Sequence, residues 1–167
     1  MKTVILVLAG LVFSNYAWAD DAPHLALWIT DSIHVINENQ CNLSKSGAAF
    51  PMLPDTHPTL TERDVTAWNA KNAHWSLNSS RFPRDSRMDL ADHCFILAVE
   101  GKYLSSGVVL NSNSARLIQF STLKVYMVNQ GLDLHLTADS RLRDSPSIHA
   151  DIIGKILSTD ASNKQAK

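Results

Sequence analysis

The chain has 167 residues, 45% of them hydrophobic and 19% charged, with 15 Lys and Arg against 16 Asp and Glu. That balance describes an ordinary globular surface. It has neither the basic stripe that phosphate contacts require nor the depleted apolar content of a disordered chain. Beyond its first residues nothing has the length of apolar run, about 20 residues, that a membrane helix needs.

The N-terminus reads as a secretory signal peptide over residues 1–19. Met1-Lys2 supplies a basic start, residues 3–12 a short apolar core, and Ala17-Trp18-Ala19 a small-x-small cleavage site. An uncleaved membrane anchor is the alternative, and the apolar run is short for one. No Cys follows the run to carry a lipid anchor. The expectation is an exported protein, periplasmic or secreted, with no membrane span after cleavage. Residues 20–157 are expected to form a single domain and 158–167 a flexible polar tail.

The two cysteines, Cys41 and Cys94, fit that compartment. In an exported domain they pair most simply as one disulfide, worth ~4 kcal/mol by chain entropy for the loop they close. Two separate buried thiols are the alternative.

In chain order, Leu25, Leu27 and Ile29 alternate with Ala26 and Trp28 as in a strand. Ile33 to Ile36 either resumes it or makes a short helix. Residues 37–58 are turn-like, with Asn37, Asn39, Asn42, Gly47, Pro51, Pro54 and Pro58. An irregular stretch of that length tends to be functional. Thr59-Leu-Thr-Glu62 has capping-box spacing. Ala73 to Leu77 alternates as a brief strand, and Asp85 to His93 suits a short helix capped by Asp85, with Met88, Leu90 and Ala91 inward.

The strongest signal is four β-rich runs, Phe95–Val99, Tyr103–Leu110, Leu123–Val128 and Leu132–Thr137. Glu100-Gly101-Lys102 turns the first pair, Gly101 supplying a positive φ. Ile96–Val99 and Val108–Leu110 are unbroken apolar runs, so that hairpin is expected to be buried on both faces. Gly107 inside a strand points to a bulge or a close backbone approach. Ile148, Ile152, Ile153, Ile156 and Leu157 share one face of a C-terminal helix. The expected fold class is α+β: a mostly antiparallel sheet, a short helix before the central hairpin, and the C-terminal helix packed on it.

Leu60-Thr-Glu-Arg-Asp-Val65, Trp75-Ser-Leu77, the helix ending near Leu90 and Cys94-Phe-Ile-Leu-Ala-Val-Glu-Gly-Lys102 together resemble the periplasmic head subdomain of SecD-type translocase subunits, and similar segments of small exported proteins of unknown function. The resemblance spans residues 59–110. Glu100-Gly101 stands where that family usually has Asp-Gly, and Leu104 to Val109 replaces its Ser-Ala-Pro segment. The translocase's membrane helices are absent, so its transport role does not carry over. The resemblance implies an α+β subdomain used for contacts outside the membrane.

Catalytic signatures are missing. The seven His residues have no compact ligand spacing, so no metal site and no cofactor is expected. Cys94 beside His93 is no dyad, because strand neighbours point to opposite faces. Ser105-Ser106-Gly107 lacks a nucleophile elbow. The acid pairs Asp20-Asp21 and Glu62 with Asp64 lie in loop or cap contexts. Asn42-Leu-Ser44 and Asn78-Ser-Ser80 match the glycosylation pattern, which has no meaning in a bacterial source. Trp68, Trp75 and the Asn72 between them suit contact with a partner, aromatic area beside adaptable polar groups, though ordinary core packing is the first reading of such tryptophans. The functional expectation is a non-enzymatic exported module binding a protein or envelope component. The alternative is a small secreted hydrolase with scattered site residues.

Overall fold

The structure, a computed structural model, describes residues 22–43, 52–69, 74–137 and 151–158. The signal segment 1–19, Asn72, Ile148 and most of the 158–167 tail lie outside them.

Eight strands form one sheet: β1 (Leu25–Ser32), β2 (Leu60–Thr61), β3 (Val65–Asn69), β4 (His74–Leu77), β5 (His93–Val99), β6 (Lys102–Asn111), β7 (Thr122–Val128) and β8 (Gly131–Thr137). Their spatial order is β2-β1-β5-β6-β7-β8-β4-β3. The edge strands β2 and β3 are successive in the chain, joined only by the 3-10 turn Glu62–Asp64. A sheet whose two edges are three residues apart has to roll up. It is therefore nearly a barrel.

Two carboxylates hold this seam. Glu62, only 5% exposed, accepts the Leu25 amide at 2.9 Å and the His24 amide at 3.3 Å, serving β1 where the two-residue β2 is too short to pair. Asp64, equally buried, accepts the Thr61 amide at 2.8 Å and binds the Arg81 guanidinium. The expected capping box thus occurs two residues later, as Thr61 with Asp64. Thr59 instead turns its hydroxyl to the Ile29 amide, 2.9 Å away.

The four strong runs are strands at the expected places. β5 and β6 pair through Val99 and Lys102 across a two-residue turn in which both Glu100 (φ 50) and Gly101 (φ 68) are left-handed, the primed geometry that matches strand twist. β7 and β8 form the second hairpin. The sheet is mixed rather than purely antiparallel, because β6 and β7 run parallel. Residues 112–121 make that crossover without a helix. They come so close to β6 that a Cβ on Gly107 would lie 1.8 Å from the Ser121 carbonyl oxygen. Only glycine fits there.

The barrel interior is filled by alternate residues of the strands, including Leu25, Leu27, Trp75, Phe95, Leu97, Val109, Leu123, Val125, Leu132 and Leu134. Among the described residues an apolar void beside Phe82 and Leu90 is hardly larger than a water molecule. The barrel is a packed core, not a ligand cup. The helical segment 151–158 contributes Ile153 and Leu157 to this core, and Gly154 lies against the Trp68 indole.

The short helix α1 is Arg87–Leu90, preceded by a 3-10 turn over Arg84–Ser86. Pro83 rather than Asp85 stands at the N-terminal boundary of that turn, with no side-chain capping bond. Leu90 and Ala91 are buried as expected, but Met88 is 68% exposed, because a single helical turn presents only one side to the sheet.

Candidate functional site

The outer face of β1, β5 and β6 is also buried, and what buries it is irregular chain. Cys94, Val108 and Leu110 point outward from the barrel and pack with Cys41, Phe120, Ile33, Ile36 and Ile118. Cys41 belongs to the segment after β1, and Phe120 and Ile118 to the β6–β7 crossover. Ala26, Trp28, Ile96 and Ala98 similarly receive Leu53, and the Trp28 indole donates to the Thr56 carbonyl at 2.8 Å. Apolar residues on both faces of these strands are thus explained by loops folded down over the outside.

Covalent and polar anchors fix the first of these loops. The Cys41–Cys94 disulfide joins it to β5, with Cα atoms 5.2 Å apart and 53 positions of sequence between them. A turn rather than a strand or helix runs through Ile33–Ile36, with Val35 and Ile36 donating to the Ser32 carbonyl. Asn37 then caps the 3-10 turn Glu38–Cys41, accepting the Asn39 amide at 2.9 Å. Beyond Cys41, the Leu43 amide donates to Ser106 Oγ at 3.0 Å, and that hydroxyl also meets Tyr103 OH at 2.9 Å. Burial raises the Tyr103 pKa above its ordinary value, and the Ser106 hydrogen bond offsets part of the rise.

Asp92 ties this loop to the crossover. Its backbone is left-handed (φ 62), a conformation Asp tolerates better than most residues. In that pose its carbonyl accepts the Ile33 amide at 2.9 Å, and its carboxylate accepts Arg116 Nη1 at 3.0 Å. His34 Nε2 lies 3.9 Å from the same carboxylate.

Between the two anchored segments is an open, polar depression lined by Ile33, His34, Ile36, Asn37, Glu38, Asn39 and Arg116. Val35, 83% exposed, and Leu117, 97% exposed, belong to the two segments that border it. The surface combines projecting aliphatic groups with amide, carboxylate and guanidinium groups, on loops held to a rigid barrel. That arrangement can form contacts. It contains no thiol or activated hydroxyl nucleophile, and Cys94 is engaged in the disulfide.

No family model, no curated protein and no solved structure matches the chain.

The residues expected to bind a partner are placed differently. Trp75 has no exposed surface and lies in the barrel core, so the expectation of an exposed indole there is corrected. β4 alternates outward His74 and Ser76 with inward Trp75 and Leu77, and the indole is on the inward side. Trp68 pairs with Trp75 across β3 and β4 and is half-buried against Gly154. Asn72 lies outside the described residues.

Of the histidines, His24 meets Glu100 at 2.9 Å and His93 meets the Ala91 carbonyl at 2.9 Å. His149 lies outside the described residues. The sequence reading missed one grouping. His74 on β4, His135 on β8 and Tyr126 on β7 converge on the outer face, with ring centroids 4.8, 4.9 and 6.4 Å apart pair by pair. Burial, then His74, then Lys124 hold the His135 pKa below its ordinary value. Period-two alternation in each strand signals these outward residues, but only the pairing of β4 with β8 brings them together.

Proposed function

We propose that this chain is an exported, non-enzymatic binding module that contacts a protein or other component of the cell envelope, in the periplasm or outside the cell. Its contact surface is the face made by residues 33–43 and the β6–β7 crossover. The observation that carries this reading is the pair of projecting aliphatic residues, Val35 and Leu117, beside a polar depression on loops anchored by the disulfide and by Asp92. Loops held on a rigid scaffold commonly carry recognition, and these two side chains offer it apolar contact area. A preordered loop also loses less conformational entropy on binding.

Export rests on the signal-like N-terminus, and the disulfide suits an oxidising compartment. Among the described residues no helix is long and apolar enough to cross a membrane. The resemblance of residues 59–110 to the SecD-type periplasmic head supports the same location and a role in contacts outside the membrane. The carboxylates of Glu62 and Asp64 serve the barrel seam rather than a cleft.

Affinity capture from an envelope fraction tests the proposal, comparing the wild-type chain with Val35→Asp and Leu117→Asp. Both residues are solvent-exposed, so the variants should keep the wild-type melting temperature and lose the captured partner. Capture that is indifferent to both substitutions removes the surface from consideration. Turnover of an ester, peptide or glycan substrate by the purified chain would replace the binding reading with the hydrolase one.

A further inference from the structure

The outer face of β4, β8 and β7 carries the His74 group, which the binding face leaves unused. His74 and His135 are directly opposed in the antiparallel β4–β8 register, so both imidazoles leave the sheet on one side. Their centroids are 4.8 Å apart. Asp133 is two residues from His135 and therefore on the same face. Its Oδ2 lies 3.9 Å from His74 Nδ1, and its Oδ1 is buried with no hydrogen-bond partner among the described residues. The His74 side chain keeps 21% of its surface exposed, so the pair is reachable from solvent.

We propose that His74 and His135 form a two-imidazole chelate for a divalent transition-metal ion, with Asp133 orienting the His74 ring through Nδ1 and water completing the coordination. Metal–imidazole bonds are about 2.0–2.1 Å, so the two ligating nitrogens need to come within about 3 Å of one another. The ring centroids are 4.8 Å apart, so chelation requires the side chains to rotate until two ring nitrogens face one ion. A carboxylate that hydrogen-bonds a ligating histidine fixes its tautomer, and closing the 3.9 Å gap between Asp133 Oδ2 and Nδ1 would leave Nε2 of His74 for the ion. Among the described residues no three His, Cys, Asp or Glu side chains are grouped to hold a metal. Asp133 therefore acts behind His74 rather than as a third ligand. With two protein ligands the site is weaker than a closed structural zinc site, and Cu²⁺ binds it most tightly of the divalent first-row ions.

Lys124 makes the proposal specific. It pairs with His135 from the neighbouring strand, β7, and its ammonium opposes a cation at this site. Cu²⁺ is the probe, titrated calorimetrically into the full chain without its first 19 residues, with electron paramagnetic resonance as the structural readout. The wild-type spectrum should show two imidazole nitrogens on the first bound equivalent. His74→Gln and His135→Gln should each lose that equivalent while keeping the metal-free melting temperature. Asp133→Asn should weaken it by about tenfold, and Lys124→Gln should tighten it. If a histidine variant fails to fold, the wild-type spectrum and Lys124→Gln still decide. A first equivalent with fewer than two imidazole nitrogens overturns the assignment. So does an affinity unchanged in the double histidine variant or insensitive to Lys124.

Discussion

Arg116 Nη1 donates to the Asp92 carboxylate at 3.0 Å, joining the β6–β7 crossover to the residue whose carbonyl also holds Ile33. One left-handed aspartate thus fastens both segments of the proposed contact face. Asp92→Asn keeps the left-handed preference and the backbone hydrogen bonds, and removes an ion pair whose partners are both more than a third exposed. That variant should cost less than about 0.5 kcal/mol. Asp92→Ala also loses the side chain suited to positive φ and should cost about 1–2 kcal/mol. Urea midpoints separate the two, and proteolysis after Arg116 should accelerate in both.

The disulfide fastens the same face from the other side. Cys41→Ala should release residues 33–43 while leaving the β5–β8 sheet intact, at a cost of about 2–5 kcal/mol. The expected record is faster proteolytic cleavage in that segment with unchanged far-ultraviolet circular dichroism. Loss of the β-sheet signal would show that the bond supports the barrel rather than the loop.

The helical segment 151–158 is docked through Ile153, 1% exposed, and Leu157. Ile153→Asp places an unpaired charge in the core and should cost about 3–5 kcal/mol. Ile152, one residue earlier and only half-buried, is the internal control. Ile152→Asp should cost clearly less in the same thermal melts, and equal losses would contradict the docking geometry.

Alkaline titration probes the anchor beyond Cys41. Tyr103 has an ordinary pKa of 10.0, raised by burial in the folded chain. The folded state therefore holds the phenol proton more tightly than the unfolded state does. Its contribution to stability is complete below pH 10 and is lost as pH rises through the higher folded pKa. Tyr103→Phe should abolish that alkaline loss and, because it removes the hydrogen bond to Ser106, lower stability by about 1 kcal/mol at every pH below it. Tyrosinate absorbance should show Tyr103 ionising above the normal range.

Much of the sheet was legible because hairpins are local. The runs around Glu100-Gly101 and Asn129-Gln130 carry both their alternation and their turns, so β5 to β8 fall where the sequence places them. Closure was not legible. Nothing in Leu60–Val65 announces that three residues link the two edges of the sheet, and the parallel β6–β7 pairing depends on Gly107 meeting Ser121 far along the chain. The alternation of His74, Trp75, Ser76 and Leu77 identified a strand but not its inward side. Polar neighbours at 69–72 suggested an exposed Trp75, whereas the rolled sheet turns that indole into the core. The site was visible in part: the irregular stretch after Asn37 and its cysteine were recognised, but its partner, the crossover with Arg116 and Leu117, read only as a polar loop.

The central claim is that a partner covers Leu117 and Val35. A photoreactive amino acid at position 117, with a second chain carrying it at the exposed position 88 of α1, tests this directly in intact cells. The account predicts a discrete crosslinked species from position 117 that is absent from position 88 and is lost when Val35→Asp is added. No adduct at 117, or the same adducts from both positions, would contradict it.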